Sequence, residues 1–314
     1  MQFKPKFIEK YSKLTDFEEY KKAVLNFPRK SVRANTLKST VNEVKKIIEP
    51  FNPEKVSWCD EAFYVNKKVI GLGNLNSHWQ GKFFIQSSVS MIPPLVLNPK
   101  ESDLVADLCA APGAKTTQLA SMMMNKGLIL ANEIDKQRFH TLISNLQRCG
   151  VSNTVVTSMD IEKINQKFDK ILLDAPCSGS GLIIGEKENT ERTLLEWNPD
   201  TILRLAKLQK KLIVKAYSLL NEGGTLVYST CSLEPEEDEN VVEFLLSKTD
   251  ARLEKIKLDI KSSHKDYLKI WPQYYQTEGF FVAKISKPAL CIKSDKWVTF
   301  YTDYSKTYQN PIWP

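Results

Sequence analysis

At 314 residues, 42% hydrophobic and 26% charged, the chain can bury a full core in about two domains. No window approaches the ~18 apolar residues of a membrane span, the start MQFKPKFIEK has no apolar leader, and the six cysteines and three histidines form no CxxC pair or cluster; a soluble, cytoplasmic protein without disulfides or a metal is expected. The net charge of +7 is uneven, because residues up to Ser90 carry 16 Lys and Arg against 9 Asp and Glu, whereas the remainder has 28 against 28.

In chain order, Phe17 to Phe27 has helical spacing and RKSVRANTL from Arg29 reads as extended. Thr40 with Glu43 forms a capping box that opens a helix through Ile48, with Val41, Val44, Ile47 and Ile48 as its apolar face. Pro50 and Pro53 end it, and VSWC and AFYV read as short strands, so residues 1–75 form a small basic α+β module. Such a module attached to a neutral domain suits a polyanionic partner; scattered lysines on a solvated face are the competing explanation. Gly71 to Gly81 reads as a linker and Phe83 to Leu97 as a docking helix, completing a segment 76–97.

Residues 98–288 show a regular alternation of strand and helix. LVADLCA is followed by a glycine turn and KTTQLASMMM, and LILANEI by a helix with Phe139, Leu142, Ile143 and Leu146 on one face; TVVTSMD and KILLDAP come next. After Pro199, Ile202, Leu205, Leu208 and Leu212 mark another amphipathic helix, and TLVYSTC supplies a fifth strand; RLEKIKLDI and GFFVAKIS are further candidates. The expected fold is α/β, with a doubly wound parallel sheet. The tail 289–314 has no readable pattern.

The chemistry gathers at strand ends. In DLCAAPGAKT, Asp107 to Thr116, small residues and Gly113 let a ligand approach backbone amides at a helix start. A phosphate-binding P-loop is excluded, since Ala114 and Cys109 occupy its glycine positions. Glu133 ends the next strand, where an acid can hold ribose hydroxyls, and Asp160 repeats the position one strand later. Asp174-Ala175-Pro176-Cys177 places a carboxylate and a thiol three apart before SGSG, and Cys231 ends the following strand. A lone cysteine is most often a small buried hydrophobe, the reading given to Cys59, Cys109, Cys149 and Cys291. Two thiols and an aspartate at neighbouring catalytic edges favour nucleophilic chemistry for Cys177 and Cys231.

LCAAPGAKT, DAPCSGSG and STCSL, in this order and spacing, resemble the NOP2/Sun family of RNA 5-methylcytosine methyltransferases, its archaeal tRNA-modifying members especially. RANTLK and IQSSVS resemble family segments ahead of the catalytic domain, and Ala114 departs from the family's usual second glycine. The resemblance implies a Rossmann-like methyltransferase with an N-terminal RNA-binding module, using S-adenosyl-L-methionine on RNA, tRNA before rRNA, as a monomer. It further implies Cys231 as the nucleophile at cytosine carbon 6, Cys177 in product release, Asp174 in polarising the base, and Lys115 adding positive charge. The cofactor would lie against Cys109, Ala110, Ala111, Pro112, Gly113, Ala114 and Lys115, with Glu133, Arg138, Asp160 and Asp174, and Arg33 would contact RNA. Sequence chemistry alone permits either cysteine to attack. It also leaves open a methyltransferase acting on DNA or a non-nucleic-acid substrate, and a non-catalytic RNA-binding protein.

Overall fold

The computed structural model describes residues 3–66, 71–185 and 187–289. The tail from residue 290, with Cys291, lies outside them. The chain opens with α1 (Pro5–Leu14), started by a proline in its first turn, and α2 (Phe17–Val24), capped by Asp16 accepting from the Glu18 and Glu19 amides. A four-stranded antiparallel sheet follows, made of β1 (Lys30–Ala34), β2 (Glu54–Lys55), β3 (Ala62–Val65) and β4 (Phe83–Ile85), in the order β2-β3-β1-β4. Its core comes from Val32, Ala34, Phe63, Val65 and Phe83 packed on Val44 and Ile48 of α3 (Val41–Ile48). The predicted cap is in place, with Thr40 Oγ1 accepting from the Glu43 amide at 3.1 Å.

Two local expectations are corrected. Phe83 to Leu97 is not one helix: Phe83–Ile85 pairs with β1, Val89–Met91 forms a 3-10 turn and only Ile92–Leu97 is α-helical, because a neighbouring strand edge captures the first residues. After α4 (Asn76–Trp79), that short helix is α5. VSWC is a turn, in which Trp58 and Cys59 are buried by packing on the larger domain. The first residues, left unassigned in sequence, form α1. Its Phe7 and Tyr11 pack with Tyr20 of α2 against Ile183, Trp197 and Trp271 of the larger domain, outside the core of the small sheet.

The larger sheet contains β5 (Leu104–Asp107), β6 (Leu128–Asn132), β7 (Thr154–Thr157), β8 (Phe168–Asp174) and β9 (Leu220–Thr230), all parallel. Between them run α6 (Ala114–Met122), α7 (Lys136–Cys149), α8 (Lys187–Glu196) and α9 (Pro199–Ser218). Beyond β9 come α10 (Glu239–Lys248), β10 (Arg252–Glu254), β11 (Leu268–Ile270), α11 (Pro272–Tyr275) and β12 (Phe280–Ser286). The strand order is β10-β12-β9-β8-β5-β6-β7, with β12 antiparallel to β9 and β11 paired to β12. Alternation along the strands buries both faces. Val105, Ile129, Leu172, Val227 and Val282 face α5 and α6, whereas Ala106, Ile171, Leu173, Tyr228 and Phe281 face α9 and α10.

The helix after Pro199 is present with a different buried face. Ile202, Ala206, Gln209, Ile213 and Ala216 point inward, while Leu208 is exposed and Leu205 and Leu212 are half-buried. The inward position falls to Gln209 because its amide is needed at the site described next. Order reverses at β5, whose neighbours are β6 on one side and β8 on the other. The crevice at their carboxyl ends is where a doubly wound sheet binds ligands.

Candidate active site

β8 and β9 lie in parallel register with Asp174 opposite Ser229. Continuing three residues from Asp174 and two from Ser229, the chain brings Cys177 and Cys231 together. Their sulfurs are 3.0 Å apart, both residues are half-buried, and both thiols are free. Burial beside Cys231 pushes the Cys177 thiol well up, the hydrogen bond between the two sulfurs being the largest cause. Cys177 therefore keeps its proton and is the natural S–H donor to Cys231 Sγ.

Asp174 is fixed from two sides. Ser229 Oγ donates to Oδ1 at 2.7 Å, and Lys115 Nζ reaches Oδ2 at 2.7 Å from the first turn of α6. Only 12% of the Lys115 side chain is exposed. Burial works against its ammonium, but the Asp174 carboxylate outweighs it and the Lys115 pKa is raised, so the lysine stays charged. Lys115 thus projects into the crevice rather than toward solvent, within 5.5 Å of the Phe280 ring centre.

A residue that sequence reasoning missed holds the two turns together. The buried Glu237 carboxylate accepts from the Ser178 amide at 3.0 Å, from Gln209 Nε2 at 3.0 Å, from Ser232 Oγ at 2.6 Å, and from Ser178 Oγ. It clamps the residues that follow both cysteines. Gln209 Nε2 also donates to the Pro176 carbonyl at 2.9 Å. In sequence, EPEED is an acidic run of the kind that usually faces solvent, and nothing in its spacing marks Glu237. Gly181 completes the assembly: its amide donates to the Cys231 carbonyl at 2.9 Å, and an added Cβ would sit 2.3 Å from the Gly279 carbonyl oxygen.

On the other side of the crevice, Cys109 to Gly113 form a tight loop between β5 and α6. Gly113 has φ +100°, and a Cβ there would press to 3.1 Å on Leu142 Cδ1, which explains the glycine. Ala110 and Ala111 pack on Leu142 and Leu146 of α7. Burial raises the Cys109 thiol well above its usual range, as befits an inert packing cysteine. Ala114 opens α6, and its carbonyl accepts from Thr117 Oγ1 at 2.9 Å. Asp107, not singled out in sequence, is buried beneath the loop; Oδ2 accepts from Thr116 Oγ1, Oδ1 has no partner, and burial raises its pKa to about 7.

Glu133 is buried at the end of β6. Oε1 accepts from the Asp135 amide at 3.0 Å, while Oε2 lies 3.4 Å from Arg138 Nη1 and has no hydrogen-bond partner. A buried carboxylate oxygen with spare acceptor capacity fits the ribose hydroxyls of an adenosine-containing cofactor. Arg138 also donates to the Ala111 carbonyl at 2.7 Å, latching α7 to the loop. Asp160 is exposed beyond β7, with Oδ1 accepting from the Glu162 amide. These residues line consecutive strand ends beside the catalytic turns, so the donor set fits S-adenosylmethionine.

Arg33 requires correction. It is 2% exposed and unavailable to RNA. Its Nε donates to Gln86 Oε1 at 2.9 Å and its Nη2 to Thr117 Oγ1 at 2.8 Å, bracing β1 against α6. Among the described residues no helix is long and apolar enough to cross a membrane, and no group of three or more His, Cys, Asp or Glu side chains is placed to hold a metal.

Two family models match the chain: 16S rRNA methyltransferase RsmB/F over residues 94–286, and the N-terminal domain of 16S rRNA methyltransferase RsmF over residues 3–88. A tRNA (cytosine(49)-C(5))-methyltransferase of Pyrococcus abyssi is 41% identical over 90% of this chain and 96% of its own length. Ribosomal RNA small subunit methyltransferase F of Shewanella amazonensis is 42% identical over 83% of this chain, which spans 58% of that longer protein. Among solved structures, NSun6 from Pyrococcus horikoshii with SFG, an S-adenosylmethionine analogue, superposes with a TM-score of 0.82 at 25% identity, covering 91% of this chain and 98% of that one. A methyltransferase homologue from the same organism gives 0.76 at 32% identity, covering 90% and 99%. With cofactor crevice, paired thiols and both family matches in agreement, the chain belongs to the Sun family of S-adenosylmethionine-dependent RNA cytosine-5 methyltransferases.

Proposed function

We propose that the chain methylates cytosine carbon 5 in tRNA, with Cys231 as the nucleophile. The observation that carries this reading is the pair of sulfurs 3.0 Å apart at the ends of two parallel strands, beside the Lys115–Asp174 ion pair. The tRNA assignment is supported by the Pyrococcus abyssi tRNA enzyme, whose length this chain spans almost completely. An RNA substrate is compatible with a cytoplasmic address.

Carbon 5 of cytosine is a poor nucleophile until a thiolate adds at carbon 6. Cys231 sulfur forms the bond to carbon 6, and the ring electrons shift toward carbon 5, now enamine-like. S-adenosylmethionine, when bound, supplies a methyl group as an electrophile to that carbon. Solvent water takes the carbon 5 proton, the C–H electron pair re-forms the ring double bond, and the carbon 6–sulfur bond breaks with Cys231 leaving as a thiolate. The Cys177 S–H, held protonated, donates to the departing Cys231 sulfur and eases that release. Asp174 hydrogen-bonds the amidine edge of the base, favouring a proton on ring nitrogen 3 that draws density from carbon 6, and Lys115 orients its carboxylate. The base must be turned out of its stack to reach these groups.

Incubating each alanine variant with tRNA and cofactor and resolving the products on denaturing gels tests the roles. Cys177→Ala is expected to accumulate a covalent protein–RNA adduct, whereas Cys231→Ala forms none. The opposite pattern reverses the assignment. Bisulfite sequencing of RNA from cells lacking the protein identifies the substrate, and loss of a methylated cytosine in rRNA rather than tRNA would overturn the tRNA reading.

A further inference from the structure

A groove runs between the N-terminal sheet and the catalytic turns, and the reaction as described leaves it unused. It has two lobes. A cavity of about 340 Å³ is floored by Ser31, Ser87 and Thr277, and one of about 500 Å³ is walled by Phe27, Leu182 and Arg192. Both fall within the ~300–1,000 Å³ typical of small-ligand sites, room enough for a nucleotide. The lobes meet at Pro28, Lys30 and Glu278, which line both.

Glu278 stands next to the catalytic floor. The following residue, Gly279, donates its amide to the Gly181 carbonyl at 2.8 Å, and Gly181 in turn donates to the Cys231 carbonyl. Phe280, one residue further, carries the ring that lies near Lys115. Leu182, in the second lobe, is five residues past Cys177. The groove thus adjoins the turns that hold the cysteines and offers room to the neighbours of a base turned into that site. At the junction the charged side chains are the Lys30 ammonium and the Glu278 carboxylate, and Ser87 beside the carboxylate favours its charged form. A carboxylate has two parallel acceptors and no donor. Of the four RNA bases, only guanine offers two adjacent N–H donors, N1–H and N2–H, on its Watson–Crick edge. Burial raises the Glu278 pKa, so a donor pair at this position would also hold the group in its charged form.

We propose that the two lobes hold the nucleotides flanking the target cytosine, and that Glu278 is a specificity-determining residue that selects guanine at one of them. The inference rests on the RNA methyltransferase reading. The test uses the full chain, S-adenosylmethionine and short single-stranded RNAs, each with one cytosine and every combination of adenine, guanine and uracil as its 5′ and 3′ neighbours. Guanine at one neighbouring position is expected to raise kcat/KM by roughly tenfold over the other bases, the scale of a bidentate base contact. Glu278→Gln places an amide N–H₂ against a guanine donor and is expected to reduce that ratio to within about twofold, whatever its effect on the absolute rate. A purely structural role for Glu278 would lower all rates together and leave the ratio unchanged. Absence of any neighbour preference in the unaltered protein, or a preference that survives Glu278→Gln, overturns the inference while leaving the methyltransferase reading intact. Absence of RNA methylation altogether overturns both.

Discussion

Replacing Glu237 with alanine tests whether the two cysteine turns are held by a single buried carboxylate. Four donors converge on it: the Ser178 amide, the hydroxyls of Ser178 and Ser232, and the Gln209 amide. Hydrogen bonds to a charged group are worth about 1.5–3 kcal/mol each, so a simple sum would reach about 6–12 kcal/mol. That sum is an upper bound, because burial raises the Glu237 pKa, which shows that part of the gain is already lost to desolvation. Leaving the donors without an acceptor and opening a cavity should cost about 3–5 kcal/mol. For a chain of this size that corresponds to a Tm lowered by about 5–8 °C. Glu237→Gln should cost only about 1–2 kcal/mol, since its amide oxygen still accepts from the two N–H groups and its N–H₂ can donate to the two hydroxyls. With the turns released, the geometry between the thiols loosens, and adduct formation in the Glu237→Ala, Cys177→Ala double variant should fall by about a hundredfold relative to Cys177→Ala. Scanning calorimetry and a time course on denaturing gels measure both effects. A Tm within about 2 °C and an adduct rate within about threefold of the respective parents would refute the clamp.

Arg33→Met removes the brace between β1 and α6. It should lower stability by about 2–4 kcal/mol and weaken cofactor binding at least as much as RNA binding, as read by calorimetric titration of each; selective loss of RNA affinity would instead return Arg33 to the RNA interface. Asp107 holds its proton in the fold to about pH 7 against an ordinary value near 4, so its contribution is complete below about pH 4 and is lost as pH rises through 7. At about 1.4 kcal/mol per unit this amounts to ~4 kcal/mol, and urea unfolding of Asp107→Asn should lack that fall between pH 4 and 7; an unchanged pH dependence would contradict the buried, protonated state. Gly181→Ala would drive a methyl group into the Gly279 and Cys231 carbonyls, so loss of activity with a lowered Tm is expected, and a fully active variant would show that this backbone approach is dispensable.

Much of the catalytic domain was legible because its signals are local. Strand runs such as KILLDAP and TLVYSTC are apolar on both faces and end in turn residues, and Thr40 caps its helix with groups only three residues apart. Gly113 and the two cysteine turns could be read in the same way. Long-range pairing escaped that reading: Phe83–Ile85 became a strand because β1 offers an edge some fifty residues earlier, and the inward face of α9 was set by Gln209 serving Pro176 and Glu237.

The sequence by itself therefore determined the order of βα units, the glycine turn after β5 and the chemical identity of the groups at the candidate site, since each depends on residues close together in the chain. Only the tertiary structure decided that Asp174 and Ser229 stand in register, which brings two thiols 54 residues apart to 3.0 Å. It also decided that Lys115 faces Asp174, that Glu237 binds both turns, and that Arg33 serves the interior instead of RNA. The physical reason is common to all four. Whether a charged side chain meets solvent or a partner is settled by which strands pair and which helices pack over them, and neither is encoded within a single local window.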